Sequence, residues 1–228
     1  MNYIVIPAYQ PDNKLIKLIE KIHEKSDFRI LVIDDGSSSK CQNIFDKAEQ
    51  YATVLRHQVN QGKGQALKTA FDYIQQQNSY GTVVTADADG QHKIWDIFRT
   101  ANKASENPNK LILGVRAFTG KVPLRSRFGN SLTKALFKIQ TGVEVADTQT
   151  GLRAFTTNLI PFMLKIEGQR YEYEMNMLLE ATKEYQILEV PIETVYINDN
   201  EGSHFRPIKD GLMIYKNIFK FALSSLSS

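Results

Sequence analysis

Residues 84–92 read Val84-Thr85-Ala86-Asp87-Ala88-Asp89-Gly90-Gln91-His92. A short β-branched run, Thr82 to Ala86, follows Gly81 and stops in Asp-x-Asp. Short apolar runs of this kind read as buried parallel strands. A strand that ends in two carboxylates carries them to the edge where open α/β sheets bind ligands. Carboxylates on alternate residues repel one another unless positive charge sits between them. A hard divalent cation, Mg²⁺ or Mn²⁺, suits the position, because such ions bind through one or two carboxylates plus substrate phosphates. Asp87 and Asp89 are therefore candidate metal ligands, with Gln91 adding a neutral oxygen. The plainer alternative for Asp-x-Asp alone is a solvated Asp-Gly turn.

Outward from this strand the chain alternates. Tyr3–Pro7, Arg29–Ile33, Thr53–His57 and Lys110–Val115 read as further strands. Helical spacing marks Asp12–Lys25, with Leu15, Ile16, Leu18, Ile19 and Ile22, and also Lys40–Tyr51 and Lys63–Gln77. This β-α-β-α-β-α-β order predicts an α/β fold, a Rossmann-like, mainly parallel sheet with helices on both faces. Phe118–Pro123 and Asn198–Pro207 are rich in polar residues and glycine, the composition of a lid.

With 228 residues the chain is long enough for one large α/β domain. Its 42% hydrophobic and 23% charged residues are ordinary for a globular protein. A net charge of +3 gives no argument for a nucleic-acid partner. The single cysteine, Cys41, excludes an intramolecular disulfide. The first strand begins at Tyr3 with no basic leader before it, and no apolar run reaches the roughly 20 residues that span a bilayer. The expected location is the cytoplasm, peripheral on the inner face of the cell membrane, and homo-oligomer formation is left open.

Polar residues gather at three strand ends: Pro7-Ala8-Tyr9, Asp34-Asp35-Gly36-Ser37 and Asp87-Ala88-Asp89. Together they describe a nucleotide cleft. Tyr9 can stack on a base, and Asp35 can accept from a base N–H or a ribose hydroxyl. A turn with an N-cap explains Asp34–Ser37 equally well when it is taken alone. Gly62-Lys63-Gly64 has the look of a phosphate loop, although neither G-x-x-x-x-G-K-[ST] nor G-x-G-x-x-G is present.

Taken together, Ile6-Pro7-Ala8-Tyr9, Val32-Ile33-Asp34-Asp35-Gly36-Ser37, Asn60-Gln61-Gly62-Lys63-Gly64 and Asp87-Ala88-Asp89-Gly90-Gln91-His92 resemble the inverting family-2 glycosyltransferases. The nucleotide-sugar domain of that family is called GT-A. Gly114-Val115-Arg116, the stretch Asp147-Thr148-Gln149-Thr150-Gly151-Leu152-Arg153-Ala154-Phe155, Tyr171-Glu172-Tyr173-Glu174 and Glu189-Val190-Pro191-Ile192 are similar to the dolichyl-phosphate mannose synthase branch. Bacterial enzymes that charge undecaprenyl phosphate fall in the same branch. The resemblance runs from about residue 3 to about residue 210.

It implies a GT-A domain over residues 1–207 and metal-dependent, inverting transfer of a hexose or N-acetylhexosamine from a nucleoside-diphosphate sugar, a UDP-sugar first, to a polyprenyl phosphate such as undecaprenyl phosphate. A hydroxyl acceptor on a cell-surface polysaccharide or protein is the alternative, and an inactive nucleotide-sugar-binding partner a further one. The resemblance places Pro7, Ala8, Tyr9, Ile33, Asp35, Lys63, Asp87, Ala88, Asp89 and Arg116 around the donor, and Asp87, Asp89 and Gln91 around Mg²⁺ or Mn²⁺. Arg116 falls to the donor or acceptor phosphate, and Asp147 to the sugar pocket. Two departures stand out. Pro11 occupies a position that is often acidic in the family. A late basic pair that faces the diphosphate is missing, with Thr194 at its first position, which makes His204, Arg206 and Lys209 the candidates there.

Asp89, Arg116, Asp147, Arg125 and Arg127 are the expected catalytic set. Transfer builds negative charge on the leaving diphosphate, which a metal and cations offset. A hydroxyl acceptor needs a carboxylate base, for which Glu172 and Glu174 are candidates, and their plainer reading is as acids favoured at a helix N-terminus. A phosphate acceptor is already anionic and needs a cationic cradle instead, to which Arg125 and Arg127 are assigned; the plainer reading of each is a solvated helix start. His23, His57 and His92 lack partner spacing and read as structural. Residues 208–228 form a C-terminal unit in which Ile208–Leu223 is a basic amphipathic helix, packed on the domain or lying on a membrane surface. The chain accordingly reads as complete and peripheral, or as shortened ahead of a membrane segment.

Overall fold

The computed structural model describes residues 1–116 and 124–193, without the side chains of 124–132. The side chains of Arg125 and Arg127, the segment Phe118–Pro123, and His204, Arg206, Lys209 and the C-terminal helix all lie outside the described residues.

Seven strands form one sheet: β1 Tyr3–Ala8, β2 Arg29–Asp34, β3 Thr53–Arg56, β4 Thr82–Thr85, β5 Lys110–Arg116, β6 Arg153–Thr156 and β7 Gln186–Ile192. The helices are α1 Asn13–Lys25, α2 Gln42–Ala48, α3 Lys63–Gln76, α4 Ile94–Glu106, α5 Leu124–Thr141, α6 Ile160–Lys165 and α7 Glu172–Glu184. Strand order is β3-β2-β1-β4-β6-β5-β7. The expected Lys40–Tyr51 helix is shorter. A 3₁₀ turn, Ser39–Cys41, precedes α2, and the chain leaves the helix at Ala48, where Tyr51 and Ala52 both donate back to the Ala48 carbonyl.

Local chemistry explains most elements. Asp12 caps α1 by accepting from the Lys14 amide at 2.7 Å, and the apolar spacing of α1 buries Leu15, Ile16, Leu18, Ile19 and Ile22. β1 lies mid-sheet and feeds both faces. Tyr3 and Val5 enter the core formed with α3, α6 and α7, while Ile4, Ile6 and Ala8 enter the core formed with α1, α2 and α4. Helices therefore cover both faces, as expected.

β6 runs antiparallel to β4 and β5, while the other pairings are parallel. The reason lies at the carboxyl edge. β5 ends there at Arg116, and residues 147–152 are held there by Arg116 and by Thr150, whose hydroxyl donates to the Gly114 carbonyl at 2.6 Å. The chain re-enters the sheet from that edge, so Arg153, the first residue of β6, pairs with Thr85, the last residue of β4, and with Leu113 of β5. This return delivers Asp147–Leu152 beside Asp-x-Asp. Pro191 sits in the edge strand β7, where a missing N–H is tolerated.

Candidate active site

The ends of β1, β2 and β4 meet the start of α3. Asp34 accepts from the Ser37 amide at 2.8 Å, and the Ser37 hydroxyl accepts from the Gln10 amide at 2.9 Å, which ties the first two strand ends together. Asp35 is buried, and its carboxylate is fully engaged. Oδ1 faces His57 Nδ1 at 2.8 Å and the Gln61 amide at 2.9 Å; Oδ2 accepts from Asn60 Nδ2 at 2.8 Å and the Gly62 amide at 2.9 Å. A carboxylate only accepts, so His57 Nδ1 carries a proton toward Asp35, and Nε2 hydrogen-bonds with the Thr69 hydroxyl at 3.0 Å. Asp35 thus shapes the loop 57–62, and any contact with a base or ribose has to displace one of these donors. Gly62 has a φ of +104°, and a Cβ there would lie 2.5 Å from the Gln169 carbonyl oxygen, so glycine is required where the loop enters α3.

Lys63, the first residue of α3, reaches across the edge. Its ammonium lies 2.7 Å from Asp87 Oδ1 and 2.9 Å from Glu174 Oε1. Burial works against the charge of Lys63, but Asp87 and Glu174 outweigh it and raise its pKa above the ordinary lysine value. Burial likewise pushes the Asp87 carboxyl up, and Lys63 and His92 more than offset this, holding it well below the usual carboxylate range. His92 Nε2 stands 3.5 Å from Asp87 Oδ2, an electrostatic approach longer than a normal hydrogen bond, and both ring nitrogens are buried without a hydrogen-bond partner among the described residues. Gly151 closes the other side, where a Cβ would lie 2.3 Å from Asp87 Oδ2.

Asp89 is placed differently. Its Oδ1 accepts from the Gln91 amide at 2.9 Å, and no ion pair with a lysine, arginine or histidine is formed among the described residues. Burial, and then repulsion from Asp87, raise its pKa. A half-buried carboxylate lacking a counter-ion is a site that a cation would relieve, so the residues fit Mg²⁺ or Mn²⁺ held at Asp89. Among the described residues no group of three acidic, histidine or cysteine side chains could hold a metal by itself.

Arg116 and Asp147 form a forked pair. Nε lies 2.5 Å from Oδ2 and Nη2 3.0 Å from Oδ1, with Asp147 fully buried. Asp147 also accepts from the Gln149 amide at 3.0 Å, so its carboxylate orients Arg116 and pins the returning segment. Arg116→Ala leaves this carboxylate without its cation. The expected loss is about 2–3 kcal/mol of stability in urea unfolding, tempered by the part exposure of Arg116, and a change under about 0.5 kcal/mol would show that the pair is not structural. Beneath the site Arg153 is buried. Nε donates to the Thr150 carbonyl at 3.0 Å and Nη1 to the Glu174 carbonyl at 2.5 Å, while Nη2 has no hydrogen-bond partner among the described residues.

Residues 3–163 match the model of glycosyl transferase family 2. This chain belongs to that family. Among curated proteins, the UDP-N-acetylglucosamine–dolichyl-phosphate N-acetylglucosaminyltransferase of Methanococcus voltae is 26% identical over 215 residues, covering 85% of this chain and 85% of that protein. The undecaprenyl-phosphate 4-deoxy-4-formamido-L-arabinose transferase of Shewanella sediminis is 28% identical over 171 residues, and the match covers 71% of this chain and 50% of that protein. Glucosyl-3-phosphoglycerate synthase from Mycobacterium tuberculosis, solved with Mn²⁺, UDP and glucosyl-3-phosphoglycerate, superposes with a TM-score of 0.70 at 18% identity, covering 98% of this chain and 79% of that one. The fold is therefore GT-A, and the protein is a glycosyltransferase.

Of the residues expected in this family-2 site, the structure brings Lys63, Asp87, Ala88 and Asp89 to one edge and joins Arg116 to Asp147. Tyr9 is 38% exposed there, whereas the side chains of Ile33 and Ala8 lie in the core. The sequence reading missed the Asp35–His57 pair. Parallel pairing of Asp34 with Arg56 makes Asp35 and His57 neighbours, so strand register was the available signal. The role of Arg153 had no sequence signal beyond its place in the Asp147–Phe155 stretch.

Proposed function

We propose that this glycosyltransferase transfers a hexose or N-acetylhexosamine, with inversion, from a nucleoside-diphosphate sugar (a UDP-sugar first) to a polyprenyl phosphate, using Mg²⁺ or Mn²⁺. One observation carries the choice of acceptor: neither candidate general base is poised to take a proton. Glu174 is bound by Lys63, and Glu172 Oε1 accepts from the Gln169 and Arg170 amides at 3.0 and 3.1 Å. A phosphate acceptor needs no base. Its oxygen forms the bond to the anomeric carbon as the bond to the donor diphosphate breaks, and the nucleoside diphosphate leaves with the electron pair. The relatives' names, on dolichyl and undecaprenyl phosphate, support the same reading.

In this reading the described residues hold and orient. Asp35 sets the 57–62 loop against the nucleoside, which stacks on Tyr9, and Arg116, aimed by Asp147, meets donor or acceptor phosphate. Mg²⁺ or Mn²⁺, when bound at Asp89 with Gln91, supplies Lewis-acid neutralisation of the leaving group. Arg125 and Arg127 are assigned to the acceptor phosphate, and His204 and Arg206 to the donor diphosphate. The site of action is then a membrane surface, reached peripherally; no described helix is long and apolar enough to cross a bilayer.

The test is a matrix of UDP- and GDP-sugars against undecaprenyl phosphate, dolichyl phosphate and simple sugar alcohols, with Mg²⁺, Mn²⁺ or chelator. Transfer to lipid phosphate that stops with chelator is the expected result. Replacing Arg125 and Arg127 together with Ala is expected to lower kcat/KM for lipid phosphate by about a hundredfold while leaving UDP affinity near wild type. A sugar alcohol that outperforms lipid phosphate, with the double arginine variant nearly normal, would hand the assignment to the hydroxyl-acceptor alternative. An intact, counter-ion-poor Asp89 speaks against an inactive binding partner.

A further inference from the structure

Trp95 is the single tryptophan of the chain, and it is 68% exposed in the first turn of α4. Its ring meets Phe98 edge-on at 5.9 Å, and Phe98 stacks on Phe28 at 5.9 Å. The rings form a ridge from the start of α4 toward the start of β2. Phe28 and Phe98 are half-buried on the core beneath, while Trp95 stands out from it. An indole is among the side chains that folding usually covers, and one left in water marks a contact surface.

Lysines border the ridge. α1 shares this face of the sheet with α4. A Cβ on Gly90, just ahead of α4, would lie 3.5 Å from Lys14 Cβ, whereas His23 meets Tyr51 at 5.2 Å on the α2 side of α1. The Lys14 flank of α1 therefore borders α4. By helical geometry Lys21 projects within about 20° of Lys14, and Lys17 about 60° from it on the solvent side. Lys17 and Lys21 are exposed and enter no ion pair among the described residues.

Charge narrows the choice of occupant. A second copy of the chain would set lysines against lysines. Residues 194–228 leave the domain close by, because the Glu193 amide donates to Asp96 at 2.9 Å and the Glu193 carboxylate pairs with Lys93. That segment carries Lys209, Lys216 and Lys220, so it too would bring like charge. An aromatic ridge beside lysines suits a negatively charged bilayer. Indoles settle at the headgroup level, and lysine stems lie along apolar surface with their ammonium groups at the phosphates.

We propose that the α1–α4 face, led by Trp95, docks on the surface of an anionic lipid bilayer. Trp95 and Phe98 enter the headgroup region, and Lys17 and Lys21 meet lipid phosphates. α4 begins shortly after Asp89, so docking holds the carboxyl edge of the sheet next to the membrane. This is a property of the face itself. It goes beyond the choice of acceptor and needs no polyprenyl phosphate.

The experiment uses the full chain with vesicles of phosphatidylglycerol and phosphatidylcholine, or of phosphatidylcholine alone, all free of polyprenyl phosphate. With one tryptophan in the chain, fluorescence reports on this face alone. Anionic vesicles are expected to shift Trp95 emission to the blue and to allow quenching by brominated acyl chains, and added salt is expected to reverse both. Co-sedimentation with anionic vesicles is expected to weaken about tenfold in Trp95→Ala, and about tenfold in the variant with Lys17→Glu and Lys21→Glu. All three side chains are exposed, so melting temperature is expected to stay at the wild-type value.

Three results overturn the proposal. Wild type that sediments with anionic vesicles while Trp95 emission stays unmoved binds through another part of the chain. Variants that sediment like wild type show that the ridge and its lysines do not hold the bilayer. Wild type that sediments with neither vesicle leaves the ridge to a protein partner. None of these touches the acceptor reading, which transfer to detergent-solubilised polyprenyl phosphate tests separately.

Discussion

Asp89→Ala is expected to lower sugar transfer at least about a hundredfold and to abolish nucleotide-linked Mn²⁺ binding, while the protein stays folded. The side chain lies past the end of β4, outside both hydrophobic cores, and its recorded hydrogen bond is a local one from the Gln91 amide. Its ionised form is disfavoured by burial and by Asp87. Removing it therefore relieves repulsion, and thermal stability is expected to hold or rise slightly. Asp89→Asn keeps the shape and loses the charge, so it separates the need for a carboxylate from the need for an oxygen. Transfer by either variant at the wild-type rate, in ordinary Mg²⁺ or Mn²⁺, would remove Asp89 from the metal site. So would loss of activity accompanied by a collapse in melting temperature, because the defect would then lie in folding.

Asp35→Ala has the opposite signature. The carboxylate serves four donors, two at each oxygen, and the pair it forms with His57 is almost closed to solvent. Truncation strands two backbone amides, an asparagine amide and an imidazole at once. Each unsatisfied buried group costs about 1–3 kcal/mol, and the effects do not add fully, so a loss of about 3–5 kcal/mol is expected. For a chain of this size that corresponds to a fall in melting temperature of roughly 10 °C. Donor KM should rise with it, because the 57–62 loop would no longer be held. A raised donor KM with an unchanged melting temperature would show instead that Asp35 acts by touching the nucleoside directly. His57→Ala tests the same network from the other side. It removes one of the four donors and is expected to cost about 1–2 kcal/mol, leaving Gln61, Asn60 and Gly62 to hold the carboxylate.

Much of this protein was legible from the chain alone, for local reasons. β-branched runs bounded by turn residues, and apolar residues at helical spacing, depend only on near neighbours. β1, β2, β4, α1 and α3 accordingly fall where the sequence places them, and two faces of helices follow from the alternation. Asp87 and Asp89 could be set at a strand end because the strand and its break are adjacent in sequence. The composition of Glu172 and Glu174 at a helix start was equally visible, and both lie in the first turn of α7.

The tertiary structure decided the rest, because it concerns partners. No local pattern distinguishes Arg153–Thr156 from another short apolar run. It becomes an antiparallel strand because Arg116 and Asp147 hold the chain at the carboxyl edge, so that it must re-enter from there. Asp35 reads as a polar strand end in the sequence, and only strand register sets His57 beside it. Lys63 reads as part of a glycine-rich loop in the sequence, and only folding sets it between Asp87 and Glu174, so that three separate parts of the chain meet. Sequence specifies which side chains carry charge. Which charges neutralise one another inside the protein, and which remain for a ligand, depends on distances of a few ångströms that only the packed sheet and helices determine.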